Sequence, residues 1–424
     1  GTSKMRKRYK NIDEQLLPLL PTNHEIQENL QQMIPKAGNI SSYIQKNAFY
    51  PVYQNTDVVY YDEAAKGLEA QLEELAKAEH FIFMEYHAIE DAEAWHRIQR
   101  VLEERVKAGV EVRVFYDDMG SIGFINTDFI KKLEAVGIRC RVFNPFMPGL
   151  NVFLNNRDHR KICVIDGWTG FTGGINLADE YVNRKIRFGH WKDTAIMLEG
   201  DAVRSFTLMF LEMWNVAKSE KVEEFDPYLD VIYEREKHSG EGFVIPYGDS
   251  PIDGEHVGKM VYMDILNTSK RYVHIMTPYL ILDNEMMTAL KFAAKRGVEV
   301  IIIMPHVPDK WYAFVLAKTY YNELLDAGVQ IYEYTPGFVH AKVFTSDDRK
   351  AVVGTINMDY RSLYHHFENA VWMRRVGSIR DMETDFQDTL ARCRTVEATL
   401  QSVWQGKKLL RLMGLLLKVI APLM

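Results

Sequence analysis

One short pattern occurs twice in this chain, at matching places of a repeated program. His159-Arg160-Lys161 leading to Asp166, and His340-Ala341-Lys342 leading to Asp347, both read H-x-K-x-x-x-x-D. Seven residues past each aspartate stands a glycine, Gly173 and Gly354. Three past each glycine stands an asparagine, Asn176 and Asn357. A lone copy of such a pattern is weak evidence, because chance supplies it. Two copies with the same downstream residues are not explained by chance, and a chain that runs one program twice folds into two like units.

The program extends beyond the motifs. A helical pattern over 67–78 leads to the apolar strand Phe81-Ile82-Phe83-Met84, a helix, and Lys107-Ala108-Gly109-Val110-Glu111-Val112. The second half repeats this with Tyr272-Val273-His274-Ile275-Met276, a helix, and Lys295-Arg296-Gly297-Val298-Glu299-Val300. Leu133-Glu134-Ala135-Val136-Gly137-Ile138 and Leu325-Asp326-Ala327-Gly328-Val329 each read as a helix end with a capping glycine before a further strand. Strands alternating with helices predict an α/β fold. Each repeat would hold a mixed, largely parallel sheet flanked by helices, the two packed about a pseudo-twofold axis. The expected divisions are an N-terminal helical and juxtamembrane segment (1–56), two catalytic domains (57–235 and 236–395) and a C-terminal amphipathic helix (396–424).

Histidine and lysine two apart on a strand point to one face, so each half presents an imidazole beside an ammonium. Were the two faces to meet, one site would hold two imidazoles, two ammoniums and two asparagine amides. That set suits a phosphodiester, with point charges and directed donors for the non-bridging oxygens. A single such histidine would more simply be a satisfied core residue; the matched set argues for function.

The duplicated motif resembles the mark of the phospholipase D superfamily, and the chain is similar to cardiolipin synthases over nearly its whole length. Trp191-Lys192-Asp193-Thr194, Leu198-Glu199-Gly200, Thr277-Pro278-Tyr279, Asn357-Met358-Asp359, Arg361-Ser362 and the apolar C-terminus carry that likeness. Gly174 and Thr355 stand where many relatives have serine, and His365-His366 before Phe367-Glu368 is atypical. The resemblance implies a phosphatidyltransferase that needs no metal or cofactor. His159 would attack phosphorus and His340 would serve as acid and base. Lys161, Lys342, Asn176 and Asn357 would bind the phosphate, and Glu368 and Asp193 would orient the histidines. Asp166 and Asp347 belong to the catalytic motifs, yet their place at strand ends favours a structural role. The implied reaction joins two phosphatidylglycerol molecules into cardiolipin and glycerol through a phosphohistidine.

Composition bears on where this would happen. Net charge is −7, which speaks against general nucleic-acid binding, and three scattered cysteines fit a reducing compartment. No apolar run reaches the length of a membrane span. The basic run 4–10 reads as a solvated end or as the cytoplasmic anchor of removed membrane helices, and Gly1-Thr2-Ser3 as a cloning remnant. The cationic, apolar tail 407–424 reads as a helix in a membrane interface. The apolar loop 146–155 is either core or a membrane contact. The basic insertion 183–188 is either a solvated face or a headgroup contact. The expected setting is the cytoplasmic side of a bacterial cell membrane, with a homodimer left open. Competing readings are a phospholipase D or phosphatidylserine synthase-like enzyme using another acceptor, a nuclease, and a non-catalytic lipid-binding scaffold.

Overall fold

The computed structural model describes residues 2–144, 156–218, 222–229 and 240–424. The expected division at 235/236 and the apolar loop 146–155 lie outside the described residues. In chain order the first half contributes β1 (Thr56–Tyr61), β2 (Phe81–Tyr86), β3 (Glu111–Asp117), β4 (Arg139–Phe143), β5 (Arg157–Asp158), β6 (Ile162–Ile165), β7 (Thr169–Gly173), β8 (His190–Lys192) and β9 (Ala195–Gly200). The second contributes β10 (Phe243–Asp249), β11 (Tyr272–Met276), β12 (Glu299–Pro305), β13 (Gln330–Tyr334), β14 (Gly337–Val339), β15 (Val343–Ser346), β16 (Lys350–Gly354), β17 (His366–Arg374) and β18 (Cys393–Thr395).

The two halves form sheets of one design. The first runs β1-β9-β7-β6-β2-β3-β4, and the second runs β10-β17-β16-β15-β11-β12-β13, with β18 added at its edge. Both sheets are mixed, but the parallel portion is narrower than expected. Along these two strand orders, among the described residues, the parallel pairs are those of β2-β3-β4 and β11-β12-β13. The strands after each motif return by tight hairpins, β6–β7 and β15–β16. Their few connecting residues leave no room for the crossover that parallel pairing demands. Gly137 and Gly328 end their helices at φ +86° and +100°, a conformation glycine adopts without steric cost.

Alternating side chains of β2 serve two cores. Ile82 and Met84 pack with Trp95, Ile98 and Leu102 on the outer face. Phe81 and Phe83 face an inner core that both halves share, which is why Phe81, Ile82, Phe83 and Met84 are all apolar. The Val203–Val216 helix lies in that inner core, buried from Ser205 to Val216. Its Phe210 stacks on Phe83 at 4.5 Å, and a helix apolar over most of its surface fits an interior position.

The basic run at the N-terminus is helical over Thr2–Leu16. Tyr9, Ile12 and Leu16 are buried, and Arg8 donates to the Asn215 carbonyl at 2.6 Å. The run is therefore one face of a docked helix rather than a free tail, with Lys4, Arg6, Lys7 and Lys10 exposed. At the other end, the Lys408–Val419 helix lies along the Trp311–Asp326 helix through Gly414, which faces Val315 and Thr319. Its opposite face exposes Leu409, Leu412, Leu416 and Val419. Among the described residues, no helix is long and apolar enough to cross a membrane.

Candidate active site

The halves interlock at the motifs, and each completes the other. β5, just before His159, pairs in parallel with the start of β17. β14, just before His340, pairs in parallel with β8. The His159 amide donates to the Phe367 carbonyl at 2.9 Å, and the His340 amide donates to the Lys192 carbonyl at 2.8 Å. Each histidine thus lies beside the carboxylate one residue past its backbone partner. His159 Nδ1 is 2.9 Å from Glu368 Oε2, and His340 Nδ1 is 2.7 Å from Asp193 Oδ2. With an Nδ1–H facing each carboxylate, both Nε2 atoms are left for chemistry.

Both lysines are almost fully buried. Lys161 Nζ donates to the His159 carbonyl at 2.8 Å. Lys342 Nζ lies within 3.0 Å of both ring nitrogens of His340; Nε2 is the one free to accept. Burial lowers the ammonium of Lys161 to about 8, against the pull of Glu368, and that of Lys342 to about 7, against the pull of Asp193. Burial and then the nearby ammoniums hold His340 down to about 3 and His159 well below the usual imidazole range. Both imidazoles of the site are therefore neutral. The two carboxyls diverge. Burial drives Glu368 well above the ordinary range. Asp193, although as deeply buried, is held low by His340 and Lys342.

The asparagines differ as well. Asn176 Oδ1 accepts from the Ala88 amide and its Nδ2 donates to Tyr181, so one amide hydrogen remains for a ligand. Asn357 Oδ1 is buried without a partner. Asp166 and Asp347 are not at the reacting centre, which corrects their placement among the catalytic residues. Asp166 accepts from the amides of Glu79, His80 and Phe81. Asp347 accepts from those of Lys270, Arg271 and Tyr272. Both adopt left-handed backbone, φ 57° and 55°, which aspartate tolerates better than most residues. They clamp the hairpin turn to the start of the neighbouring strand.

The family profile described as "Cardiolipin synthase, PLD-like domain" matches residues 72–214 and 262–390. The chain belongs to the cardiolipin synthase family. An uncharacterized protein of Streptococcus mutans is 49% identical over 424 residues, covering all of this chain and 91% of its own. A cardiolipin synthase of Geobacillus kaustophilus is 38% identical over 317 residues, which are 74% of this chain and 62% of that one. Cardiolipin synthase 2 of Bacillus anthracis is 35% identical over 91% of this chain and 71% of its own. Among solved structures, a phosphatidylserine synthase of Haemophilus influenzae superposes with a TM-score of 0.67 at 14% identity, covering 91% of this chain and all of its own. That likeness shows a shared fold.

Within this cardiolipin synthase family chain, Gly174 and Thr355 both bear on the two carboxylates. A Cβ on Gly174 would crowd Asp193 Oδ1 and fall 2.9 Å from the His340 carbonyl, so glycine leaves room for the approach of Asp193 to its histidine. Thr355 keeps the hydroxyl that serine would supply, and spends it on Glu368. His366 sits beside His159, the two ring centroids 5.5 Å apart. His159, His366 and Glu368 bring ligand-type atoms within 4.8 Å of one another. Such a set could hold a transition cation, but the same atoms orient His159.

Other residues of the site carry no motif. Arg160, fully buried, donates to Glu212 at 2.9 Å and to the Glu368 carbonyl at 3.1 Å. Asn369 accepts from the Lys161 amide and donates to Thr172, stitching the halves beneath the lysines. His87 packs edge-on to His159 at 5.0 Å, its Nδ1 against the Asp158 carbonyl at 2.8 Å. Tyr181 and Trp191 wall His340, each 5.2 Å away. Trp191, within Trp191-Lys192-Asp193-Thr194, and the neighbouring His365-His366 were the visible sequence signals here. For Arg160, Asn369 and His87, partners far away in sequence decide the role.

Proposed function

We propose that the protein is a phosphatidyltransferase that makes cardiolipin from two phosphatidylglycerol molecules. The observation carrying this reading is the crossed pair of histidine–carboxylate contacts in a buried pocket with two lysines, within a chain of this family. His159 Nε2 attacks phosphorus, and the bond from phosphorus to the glycerol headgroup breaks. The departing oxygen takes a proton from His340 Nε2, which Asp193 supports as a cation. A second phosphatidylglycerol then gives its hydroxyl proton to neutral His340, and its oxygen attacks phosphorus. The phosphorus–nitrogen bond breaks, which frees His159 and yields cardiolipin. Splitting the displacement in two lowers each barrier, and paired acid–base action suits groups tuned by burial.

His340 is neutral in the empty site. An incoming phosphodiester draws Lys342 off the ring and offsets its charge, so that Asp193 can hold a proton on the imidazole. Lys161, Lys342 and Asn357 take the non-bridging oxygens, with one N–H from Asn176. The reaction belongs at a membrane surface, because both substrates are lipids. The exposed leucines of the Lys408–Val419 helix, flanked by Lys407, Lys408, Arg411 and Lys418, suit an interface. Free Cys140, Cys163 and Cys393 suit the cytoplasmic side of a bacterial membrane.

The test uses pure protein, phosphatidylglycerol vesicles and a chelator, with lipid products separated by mass. Cardiolipin with free glycerol, absent in His159→Ala and His340→Ala, is the expected result. Phosphatidic acid alone would move the protein to the hydrolases. Phosphate trapped on His340 rather than His159 would reverse the histidine roles.

A further inference from the structure

The strands that carry the catalytic groups also build a second charged site at their far ends. His340 precedes β15, Thr355 follows β16, and Glu368 lies near the start of β17. At the other end of the same strands stand Arg349, Lys350, Arg374 and Arg375, with Lys36 and Lys270 beside them, around a cavity of about 650 Å³. Glu368 and Arg374 are six residues apart on one strand, roughly 20 Å at the usual rise. A ligand held here is out of reach of the reacting histidines.

The charge of this cavity runs against that of the whole chain, which is −7. None of these six cations forms an ion pair among the described residues. Arg271, also in the wall, pairs with Asp348 at 3.1 Å. Lys350 is only 5% exposed and donates to the Thr268 hydroxyl at 2.8 Å. Arg374 Nε is buried without a hydrogen-bond partner. Burial and then the neighbouring Arg375 and Arg349 depress its guanidinium, which is the effect of like charges crowded together. The two carboxylates in the wall offset this only in part: Asp347 acts on Arg374 and Lys350, and Asp264 acts on Lys350, against seven cations around the cavity. Seven cations against two carboxylates, with Lys350 buried among them, make an arrangement that suits an anion. Met33 and Ile34 give the cavity an apolar side.

We propose that this cavity is a second, non-catalytic binding site for a phosphorylated ligand bearing two or more negative charges. Guanidinium and ammonium groups at this density match phosphate oxygens with charge-assisted hydrogen bonds. The volume lies within the range of small-ligand sites. A soluble phosphate compound and a phosphomonoester lipid headgroup share this chemistry.

The experiment uses the full chain and the variant Arg349→Glu/Arg375→Glu, both side chains being exposed, with Lys350→Gln as a variant that reverses no charge. Calorimetry with inorganic pyrophosphate at low salt forms one arm, and flotation with vesicles containing phosphatidic acid the other. The expected result is pyrophosphate binding that weakens about 10-fold or more in both variants and is unchanged in His159→Ala. Failure of pyrophosphate to bind, with vesicle binding lost in the variants, would assign the same site to a lipid headgroup. Pyrophosphate binding that is lost in His159→Ala and kept in the cavity variants would place the anion in the catalytic pocket and overturn the proposal. So would indifference of both arms to the cavity variants.

Discussion

Asp193 and Glu368 orient equivalent histidines from opposite electrostatic states. Asp193 is held ionised beside His340 and Lys342, while burial raises Glu368. Neutral amides should therefore be felt unequally. Asp193→Asn should cut kcat by about 10³-fold, because it withdraws the charge that supports the His340 cation. Glu368→Gln should cost about 10-fold to 100-fold, because a carboxyl already pushed towards its neutral form loses less. Single-turnover rates with each variant would check the order, and equal losses would refute the distinction. The lysines set a pH dependence. Their ammoniums are depressed to about 7 and 8, and the charged form lies below those values. The kcat/KM, which reports the free enzyme, should fall as pH rises through about 7 to 8, and a flat profile to pH 9 would contradict this. At this scale the motif histidines and lysines were legible, since two-residue spacing on a strand places both side chains on one face. The crossed pairing was not, because Glu368 is 209 residues from His159 and Asp193 is 147 from His340. Nor did local spacing reveal that Arg160, between a catalytic histidine and lysine, would be buried against Glu212.

Two kinds of element matter most. The first is the clamped hairpin. Asp166→Asn and Asp347→Asn should each destabilise the fold by about 1–3 kcal/mol, through weakened bonds to strand amides, and leave kcat on folded protein within a few-fold. Thermal melting beside active-site-normalised kinetics would show this, and a large fall in kcat at unchanged stability would restore a catalytic role. The second is the Lys408–Val419 helix. Replacing Leu409, Leu412 and Leu416 with serine should abolish sedimentation with phosphatidylglycerol vesicles while sparing activity on short-chain substrate in detergent. Unchanged sedimentation would remove this helix from the membrane contact. Helix caps and apolar strands were legible because each is a local pattern. The extent of parallel pairing was not. An apolar strand covered on both faces reads alike whether its neighbour runs with it or against it, and only the short β6–β7 and β15–β16 turns decide.

Across the whole molecule, the shared inner core and the reciprocal strand pairs make the halves one cooperative unit. Calorimetric unfolding should show a single transition with matching calorimetric and van't Hoff enthalpies. Two resolved transitions would show that the halves melt independently. The duplication was plain in the sequence, and the matching strand orders follow from it. The manner of joining depended on the buried Val203–Val216 helix and on β5 and β14. These two strands hold two and three residues, too few to leave a periodic trace.

The exchange of carboxylates between halves has a consequence for inheritance of change. A single repeat owns a histidine and an acid that never meet, so no repeat can be improved or spoiled in isolation. A substitution that shifts β17 disturbs His159 of the other half, and one that shifts β8 disturbs His340 of the other half. The two copies are therefore bound to drift as partners, each constrained by its sibling's chemistry rather than its own.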